Sequence, residues 1–390
     1  MNRIYVVLPA LFALCYGVFA YQQAHALKPA KKLWVTSVLE GVTVIDLQTG
    51  RRKQTIETGI LPHNILLSPD GKKVYVTNVG SQSISELDVE TEKKTRDMLV
   101  GEIPDNAYHR KLGAERMGKA TSCFECHHEH AIGSLPNAIT WDGEHRALIV
   151  NEVRKRAVTW VDAASGKTTK TIPFEHSLPD PSTPANILVH PFTHEIWVLH
   201  RWEKADYKKG GPLGAHKMSD FEHDPPAGQH FSWVTIHDPQ MTKELARIRT
   251  EWAIPFAGEF SADGKWLYAA YRSTNKIAVF DVEKRALART IETSVAPTGL
   301  ALSNDGQEMY VTCLFSRPTV IQVIDVKSGE IKVSLGVPPS PSLVITDPFS
   351  GLIYVTATGS NMALEIDTKA KKLVRQLATG NQPLALVLSR

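Results

Sequence analysis

Cysteine is scarce in this chain of 390 residues, which contains four: Cys15, Cys123, Cys126 and Cys313. Cys15 lies in an N-terminal apolar segment that we expect to be removed, so three remain in the processed protein. An odd number, with two members almost adjacent, excludes a disulfide framework as the basis of the fold. The close pair therefore indicates a local chemical role, and Cys313 in the strand-like stretch YVTCLF is expected to be a buried strand residue.

The chain also lacks an excess of charge and a second long apolar run. Its formal net charge is only +3, and its Lys and Arg residues are scattered, which argues against nucleic acid as a partner. Beyond the N-terminus, no apolar stretch approaches the about 20 residues that a membrane-spanning helix needs. We therefore expect no stable membrane span once the N-terminal segment is cleaved.

The N-terminus has the features of a secretory signal peptide. Arg3 gives a positive start, residues 4–20 are apolar and uncharged, and Ala24 and Ala26 put small residues where a signal peptidase cleaves. We predict that residues 1–26 are a signal peptide and that 27–390 form a periplasmic or secreted protein. Retention of the segment as a membrane anchor is the alternative.

A repeat organises the rest of the chain. The stretch SPDGKKVYVTN, residues 68–78, recurs as SADGKWLYAAY from Ser261 and as SNDGQEMYVTC from Ser303. Alternating apolar segments that end in aspartate, and apolar segments that open with proline, predict β-strands between turns. Four strands in roughly 40–45 residues are typical of a propeller blade. The aspartates are Asp46, Asp88, Asp162, Asp238, Asp281, Asp325 and Asp367, and the prolines are Pro62, Pro136, Pro184, Pro255, Pro297, Pro341 and Pro383.

These repeats resemble the YVTN-repeat propellers, whose tetrapeptide stands here at residues 75–78. The resemblance covers nearly all of residues 27–390 and implies an all-β fold, a seven-bladed β-propeller. The first unit lacks an opening strand, so we expect the C-terminal strand after Pro383 to complete blade one. Such closure removes exposed sheet edges. The resemblance implies no activity, because propellers host many unrelated functions.

Two of the units are about 30 residues longer than the others. The spacing of the repeat marks puts one insertion at about 100–134, after the second unit, and the other at about 203–230, within the fourth unit. If the first insertion links two blades, both stand on one face of the disc. Loops held by a rigid body commonly carry function, so we predict that this face is the functional one.

The first insertion contains CFECH, in which Cys123 and Cys126 are followed directly by His127. This spacing is the attachment signature of c-type haem. By resemblance to c-type cytochromes, the motif implies covalent haem c, with thioethers to both cysteines and His127 as the proximal ligand of the iron. About 30 residues cannot form a whole cytochrome domain, so the propeller mouth and the second insertion would have to cover the haem.

The second ligand of the iron can come from either insertion or from the same face of the propeller. A histidine there favours a lower reduction potential and a methionine a higher one. The candidates are His63, Met117, His128, His130, His200, His216, Met218, His223 and His230. The histidines expected at surface or turn positions are His176, His190, His194 and His237.

The sequence leaves three functions open. The first is an exported propeller cytochrome that exchanges electrons with a partner protein or a small-molecule donor or acceptor, or that supports a haem-dependent oxidation. The second is a propeller that binds copper or zinc through the Cys and His cluster without turnover. The third is a lactonase or another hydrolase that acts inside the channel, although no nucleophile-and-base pattern is visible.

Overall fold

The computed structural model describes residues 29–100, 134–142, 146–153, 155–174, 182–202, 231–252 and 254–390. Within these ranges the chain forms β-strands and two short 3₁₀ helices, Arg272–Thr274 and Thr358–Ser360, and no α-helix. No helix of these ranges is long and apolar enough to span a membrane.

Strands β1 to β15 belong to the first four repeat units. They are β1 (Lys32–Ser37), β2 (Gly41–Asp46), β3 (Arg51–Ile56), β4 (Pro62–Leu67), β5 (Lys73–Asn78), β6 (Ser83–Asp88), β7 (Lys93–Leu99), β8 (Pro136–Asp142), β9 (Ala147–Glu152), β10 (Ala157–Asp162), β11 (Thr168–Pro173), β12 (Ser182–Val189), β13 (Ile196–Trp202), β14 (Ser232–His237) and β15 (Glu244–Thr250). The later strands are β16 (Pro255–Phe260), β17 (Trp266–Tyr271), β18 (Lys276–Asp281), β19 (Ala286–Glu292), β20 (Pro297–Leu302), β21 (Glu308–Cys313), β22 (Val320–Asp325), β23 (Ile331–Gly336), β24 (Pro341–Asp347), β25 (Leu352–Ala357), β26 (Met362–Asp367), β27 (Lys372–Ala378) and β28 (Pro383–Ser389).

These strands form seven four-stranded antiparallel sheets, the blades of a propeller. Six blades use four consecutive strands, whereas blade one has the order β28-β1-β2-β3. The C-terminal strand β28 pairs with β1 and closes the ring, so the prediction of an all-β, seven-bladed propeller closed by that strand is confirmed. The first strand of each blade contacts that of the next around the whole ring, which puts these seven inner strands at the axis.

Burial follows the place of a strand in its blade. The second strand β5 is buried at almost every position, whereas the outermost strand β3, RRKQTI, is mostly exposed. Apolar side chains of neighbouring blades pack together: Tyr75 and Ile84 of blade two contact Leu148 and Val150 of blade three. Burial of each large apolar side chain contributes roughly 1.5–3 kcal/mol, so this packing between blades holds the ring together.

The repeated aspartates end the third strands and fix the turns that follow. Oδ1 of Asp46 accepts hydrogen bonds from the N–H and the hydroxyl of Thr49, at 2.7 and 2.8 Å. Asp88 makes the same pair of contacts with Thr91, and these bonds, together with Lys73, lower the pKa of Asp88 to about 2. The sequence signal of an aspartate before a turn therefore reflects an Asx-type hydrogen bond to the backbone.

The threonine of the YVT stretch joins neighbouring blades. Thr77 lies beside a bulge in β4, where its hydroxyl accepts from the N–H of Asn64 at 3.0 Å. The same hydroxyl donates to the carbonyl oxygen of Asn137 in the next blade at 2.7 Å. Equivalent bridges are made by Thr36, Asn151, Thr312 and Thr356.

Blades four and five have Leu199 and Ala270 at this position, and neither side chain can form the bridge. Between blades four and five, Nδ2 of Asn186 donates to the carbonyl oxygen of Phe256 at 3.3 Å. Between blades five and six, a carboxylate oxygen of Glu259 accepts from the N–H of Leu302 at 3.1 Å. At these two seams, therefore, other side chains connect the neighbouring blades.

Both long insertions join strands at the same face of the disc. Residues 101–133 connect the end of β7 to the start of β8, and residues 203–230 connect the end of β13 to the start of β14. Because the strands alternate in direction, both connections leave the face at which the inner strands begin, which we call the insertion face. The prediction that both insertions stand on one face of the disc therefore holds for the strands to which they are attached. The inserted residues themselves lie outside the described ranges.

Replacement of Thr77 with Val tests the blade bridge, because Val keeps the shape and removes the hydroxyl. The N–H of Asn64 and the carbonyl oxygen of Asn137 then lose a buried partner, so we expect the free energy of unfolding to fall by about 2 kcal/mol. The control is Thr168→Val on the exposed outer strand β11, with an expected change below about 0.5 kcal/mol. Urea unfolding measures both, and equal effects would contradict the bridging role.

Candidate functional site

The haem-attachment motif and most of the predicted ligands lie outside the described residues. This holds for Cys123, Cys126 and His127, for the candidates Met117, His128, His130, His216, Met218, His223 and His230, and for His176. The predicted ligands that the structure does describe are His63 and His200. Within the described residues no three His, Cys, Asp or Glu side chains are grouped so that they could hold a metal ion.

His63 is the second residue of the inner strand β4 and lies at the insertion face. Its side chain is half-buried, with Nδ1 at 3.2 Å from Nδ2 of Asn64. Its carbonyl oxygen accepts the bridging hydrogen bond from Thr36 at 2.9 Å. The backbone of His63, on an inner strand, is therefore fixed by the seam between blades one and two.

His200 lies near the end of β13 and is completely buried. Its Nε2 lies 2.9 Å from the hydroxyl oxygen of Thr235, and Phe174 of blade three meets the ring edge-on at 4.9 Å. Desolvation lowers the pKa of His200 well below its usual value, and nearby positive charge lowers it further. The ring is therefore neutral at physiological pH and faces blade three, inside the seam.

His237 is also buried, with 6% of the residue exposed, so the expectation of a surface or turn position was wrong. Its Nε2 lies 2.9 Å from the same hydroxyl of Thr235, and desolvation lowers the pKa of His237 to about 4. The expectation failed because His237 is still the last residue of β14, a strand that is buried at almost every position, and lies directly opposite the buried Ile196.

His190, in the turn after β12, is likewise buried. Both of its ring nitrogens have partners: Nε2 contacts the carbonyl oxygen of Gly264 at 2.8 Å, and Nδ1 accepts from the N–H of Thr193 at 2.9 Å. It therefore fastens the turn after β12 to blade five. His194 is exposed in that turn with a φ of 58°, as expected.

The second strands of the blades end in a ring of residues, of which the sequence analysis named only His200 and Cys313. Each member is paired with the proline that opens the inner strand of its blade, so all of them lie at the insertion face. In blades three to five the members are Glu152, His200 and Tyr271, all with 0% of the residue exposed. The full ring is Ser37, Asn78, Glu152, His200, Tyr271, Cys313 and Ala357.

Glu152 is the acidic member of this ring and lies beside Pro136, near the point where the chain returns from the first insertion. Its Oε1 accepts a hydrogen bond from the hydroxyl of Thr159, and Nζ of Lys155 lies 3.6 Å from its Oε2. A wholly buried carboxylate needs such partners, because an unpaired buried charge is strongly unfavourable. The only sequence signal for it is the break of the YVTN pattern to IVNE at residues 149–152.

Glu259 is a second carboxylate outside the predicted set, on the inner strand β16 at the seam with blade six. Its contact is the N–H of Leu302, and desolvation raises the pKa of Glu259 to about 7. A carboxyl group that titrates near neutral pH can act as a general acid or base. Such perturbed groups also mark candidate functional positions.

The profile of one known family matches part of the chain. The family is described as "Lactonase, 7-bladed beta-propeller", and its match covers residues 248–346, from β15 to β24. Comparison with curated proteins gives no match.

Several solved structures share the propeller fold at low sequence identity. Hydrazine synthase of Kuenenia stuttgartiensis is 14% identical, with a TM-score of 0.61, over 84% of this chain and 90% of the other. A putative 6-phosphogluconolactonase of Bacteroides fragilis is 13% identical, with a TM-score of 0.63, over 93% of this chain and 99% of the other. The dihydro-heme d1 dehydrogenase NirN, in complex with DHE, is 15% identical, with a TM-score of 0.61, over 92% and 75%. At these identities the similarity concerns the fold alone.

Replacement of Glu259 with Gln tests the raised pKa. The pKa of Glu259 is about 7 in the folded protein against an ordinary value of 4.5, so the folded state holds the proton more tightly than the unfolded chain. The stability that this group contributes is complete below pH 4.5 and is lost as the pH rises through about 7. We expect the Tm of the wild type to fall between about pH 5 and pH 8, and that of Glu259→Gln to fall less.

The control for this experiment is Glu251→Gln, because the side chain of Glu251 is 71% exposed. It should reproduce the pH profile of the wild type. Identical profiles for Glu259→Gln and the wild type would show that Glu259 does not titrate in this range.

Proposed function

We propose that this protein is an exported propeller cytochrome, which carries one covalent haem c at the insertion face and uses it for electron transfer or for a redox reaction of a small molecule. The observation that carries the proposal is the position of CFECH. Cys123 and Cys126 are the only close cysteine pair of the chain, and in sequence they fall between β7 and β8, in the connection between two blades.

The third cysteine of the processed chain has a different environment, which supports a special role for the pair. Cys313 is buried in β21, and desolvation raises the pKa of its thiol to about 12. A thiol of this kind is inert and contributes packing. Attachment of a cofactor therefore falls to Cys123 and Cys126.

The residue types in the motif suit haem. Two thiols are available for thioethers, His127 follows as the axial ligand, and export suits a cofactor that is attached outside the cytoplasm. When bound, haem supplies one-electron chemistry. The chain itself would orient the porphyrin, exclude water from it and determine whether the second axial position is filled.

The second ligand decides between the two redox roles. A protein ligand favours electron transfer, and an open position favours reaction with a small molecule. Of the candidates on described strands, His63 stands on an inner strand at the insertion face, whereas His200 is enclosed by Thr235 and Phe174. The name of NirN, a dihydro-heme d1 dehydrogenase, connects a similar fold with haem chemistry and so supports the proposal at the level of fold.

A lactonase is the second candidate function, favoured by the family match over residues 248–346 and by the similar fold of a putative 6-phosphogluconolactonase. Glu259 lies inside the matched segment on a strand at the axis. It would be the acid or base to test first. A copper or zinc site built from the Cys and His cluster is the remaining alternative.

The deciding experiment is purification from a host that has the machinery for c-type haem attachment. We expect one haem per chain that survives denaturation, detected by haem staining and by the pyridine haemochrome spectrum. Cys123→Ala with Cys126→Ala should abolish the stain. Cys313→Ala is the matched control and should retain it, because Cys313 lies in the core of blade six.

Two other outcomes would overturn the proposal and select its rivals. A colourless protein with stoichiometric copper or zinc would indicate the metal-binding propeller. A colourless, metal-free protein that opens a lactone ring, and loses this activity in Glu259→Gln, would indicate the lactonase.

A further inference from the structure

On the face of blade four that is turned towards blade three, three polar atoms are enclosed without a hydrogen-bond partner among the described residues: Oγ of Ser182, Nδ1 of His200 and Nε1 of Trp233. Ser182 is 1% exposed and His200 is 0% exposed. Buried polar groups are nearly always satisfied by protein, water or a ligand. Each one left unsatisfied costs about 1–3 kcal/mol. Three in one place therefore indicate a missing partner.

The register of blade four brings these three side chains to one face of the sheet. His200 is paired directly with Trp233 on β14 and with Pro184 on β12. Ser182 precedes Pro184 by two positions and so lies on the same face. Directly paired residues have Cβ atoms about 5 Å apart, and diagonal neighbours about 7–8 Å apart. This face is turned towards blade three, because Trp233 and Phe174 pack in the core between the two blades.

The surroundings of these atoms are positively charged. Nε of Arg156 donates to the carbonyl oxygen of Ser182 at 2.7 Å. The guanidinium of Arg247, paired with Glu244, stands 5.8 Å from the centre of the Trp233 ring. Both arginines contribute to the lowered pKa of His200. An indole N–H can only donate, so this set of groups does not suit a metal cation and suits an anion with oxygen acceptors.

The hydroxyl of Thr235 links the protonation of His200 to that of His237. Its oxygen lies 2.9 Å from Nε2 of both rings. A hydroxyl has one hydrogen, so it donates to one ring and accepts from the other. If His237 donates from Nε2, Thr235 donates to Nε2 of His200, and His200 carries its own proton at Nδ1. Nδ1 of His200 is then a third donor beside Ser182 and Trp233.

We propose that Ser182, His200 and Trp233, with Arg156 beside them, form a carboxylate-binding site at the seam between blades three and four. A carboxylate offers two oxygens and about four acceptor positions, which matches three neutral donors. The positive charge of Arg156 and Arg247 nearby favours an anion over a neutral ligand.

The position of the site suggests two sources for the carboxylate. Strand β13 leads directly into the second insertion, and β14 follows it. Strand β8 of the facing blade follows the first insertion. A propionate of the haem is one source, and this version rests on the proposed function. A small free carboxylate that reaches the insertion face is the other.

The test uses the full chain without haem, as the Cys123→Ala, Cys126→Ala variant labelled with ¹⁵N-tryptophan. Sodium acetate is titrated against sodium chloride at equal ionic strength, and the indole N–H signals are followed by NMR. We expect a saturable shift of the Trp233 signal with acetate only, assigned by its loss in Trp233→Phe. Trp197 is the internal control, since its N–H is also enclosed without a described partner but lies in the core shared with blade five. Ser182→Ala should weaken acetate binding by about tenfold, the effect of one lost hydrogen bond.

The outcomes test three questions separately: whether the site binds a carboxylate, where that carboxylate comes from, and whether the proposed function holds. Loss of the acetate response in the haem-loaded protein identifies a propionate as the occupant, whereas its persistence identifies a free carboxylate. An acetate response in a protein that never acquires haem would keep the site and overturn the proposed function. No response, a response shared by Trp197, or an equal response to chloride would overturn the site. In a second sample labelled with ¹⁵N-histidine, shifts that put the His200 proton on Nε2 with acetate bound would also overturn it.

Discussion

The hydroxyl of the repeated threonine acts at the point where two demands of the propeller coincide. The inner strands bulge behind their opening prolines, so a backbone N–H in each leaves the regular ladder, and the inner strand of the next blade approaches there with a free carbonyl oxygen. In blade two, Thr77 satisfies both groups at once. Buried backbone groups must be paired, so the proline and the threonine of the repeat serve one structural purpose. The rim that they fix carries the ends of both insertions.

The exceptions to this arrangement lie beside the unusual side chains. Blades four and five lack the hydroxyl at Leu199 and Ala270, and the seams there depend on Asn186 and Glu259. Blade four is also the blade with the buried His200 and the second insertion. Sites where a local rule is broken are expected to be functional or strained. The departures from the repeat therefore indicate blades four and five as the part of the disc that is not merely scaffold.

The sequence was sufficient for the fold because turns and strand starts are local signals. Aspartates before turns and prolines before inner strands recur with a fixed spacing, and that spacing also indicated between which strands the two insertions fall. The polar cluster of Ser182, His200 and Trp233 could not be found in this way, because its members come from three strands and meet only through their register. The raised pKa of Glu259 likewise depends on desolvation of a half-buried side chain at the seam with the next blade, and no motif within β16 records it.

If the first insertion carries a haem, as proposed, its about 30 residues are too few to enclose it, and groups outside the insertion would have to cover it. The iron would need a second ligand, the porphyrin would need apolar contacts, and the propionates would need hydrogen-bond donors or water. The last demand is the most selective, because a buried charge is tolerated only with several well-placed partners. On the insertion face, the seam between blades three and four offers three unpaired polar groups next to a guanidinium. The neutral pair His200 and His237 adds no charge of its own. The hydroxyl of Thr235, which contacts both rings, would let His200 direct its Nδ1 proton towards a carboxylate oxygen.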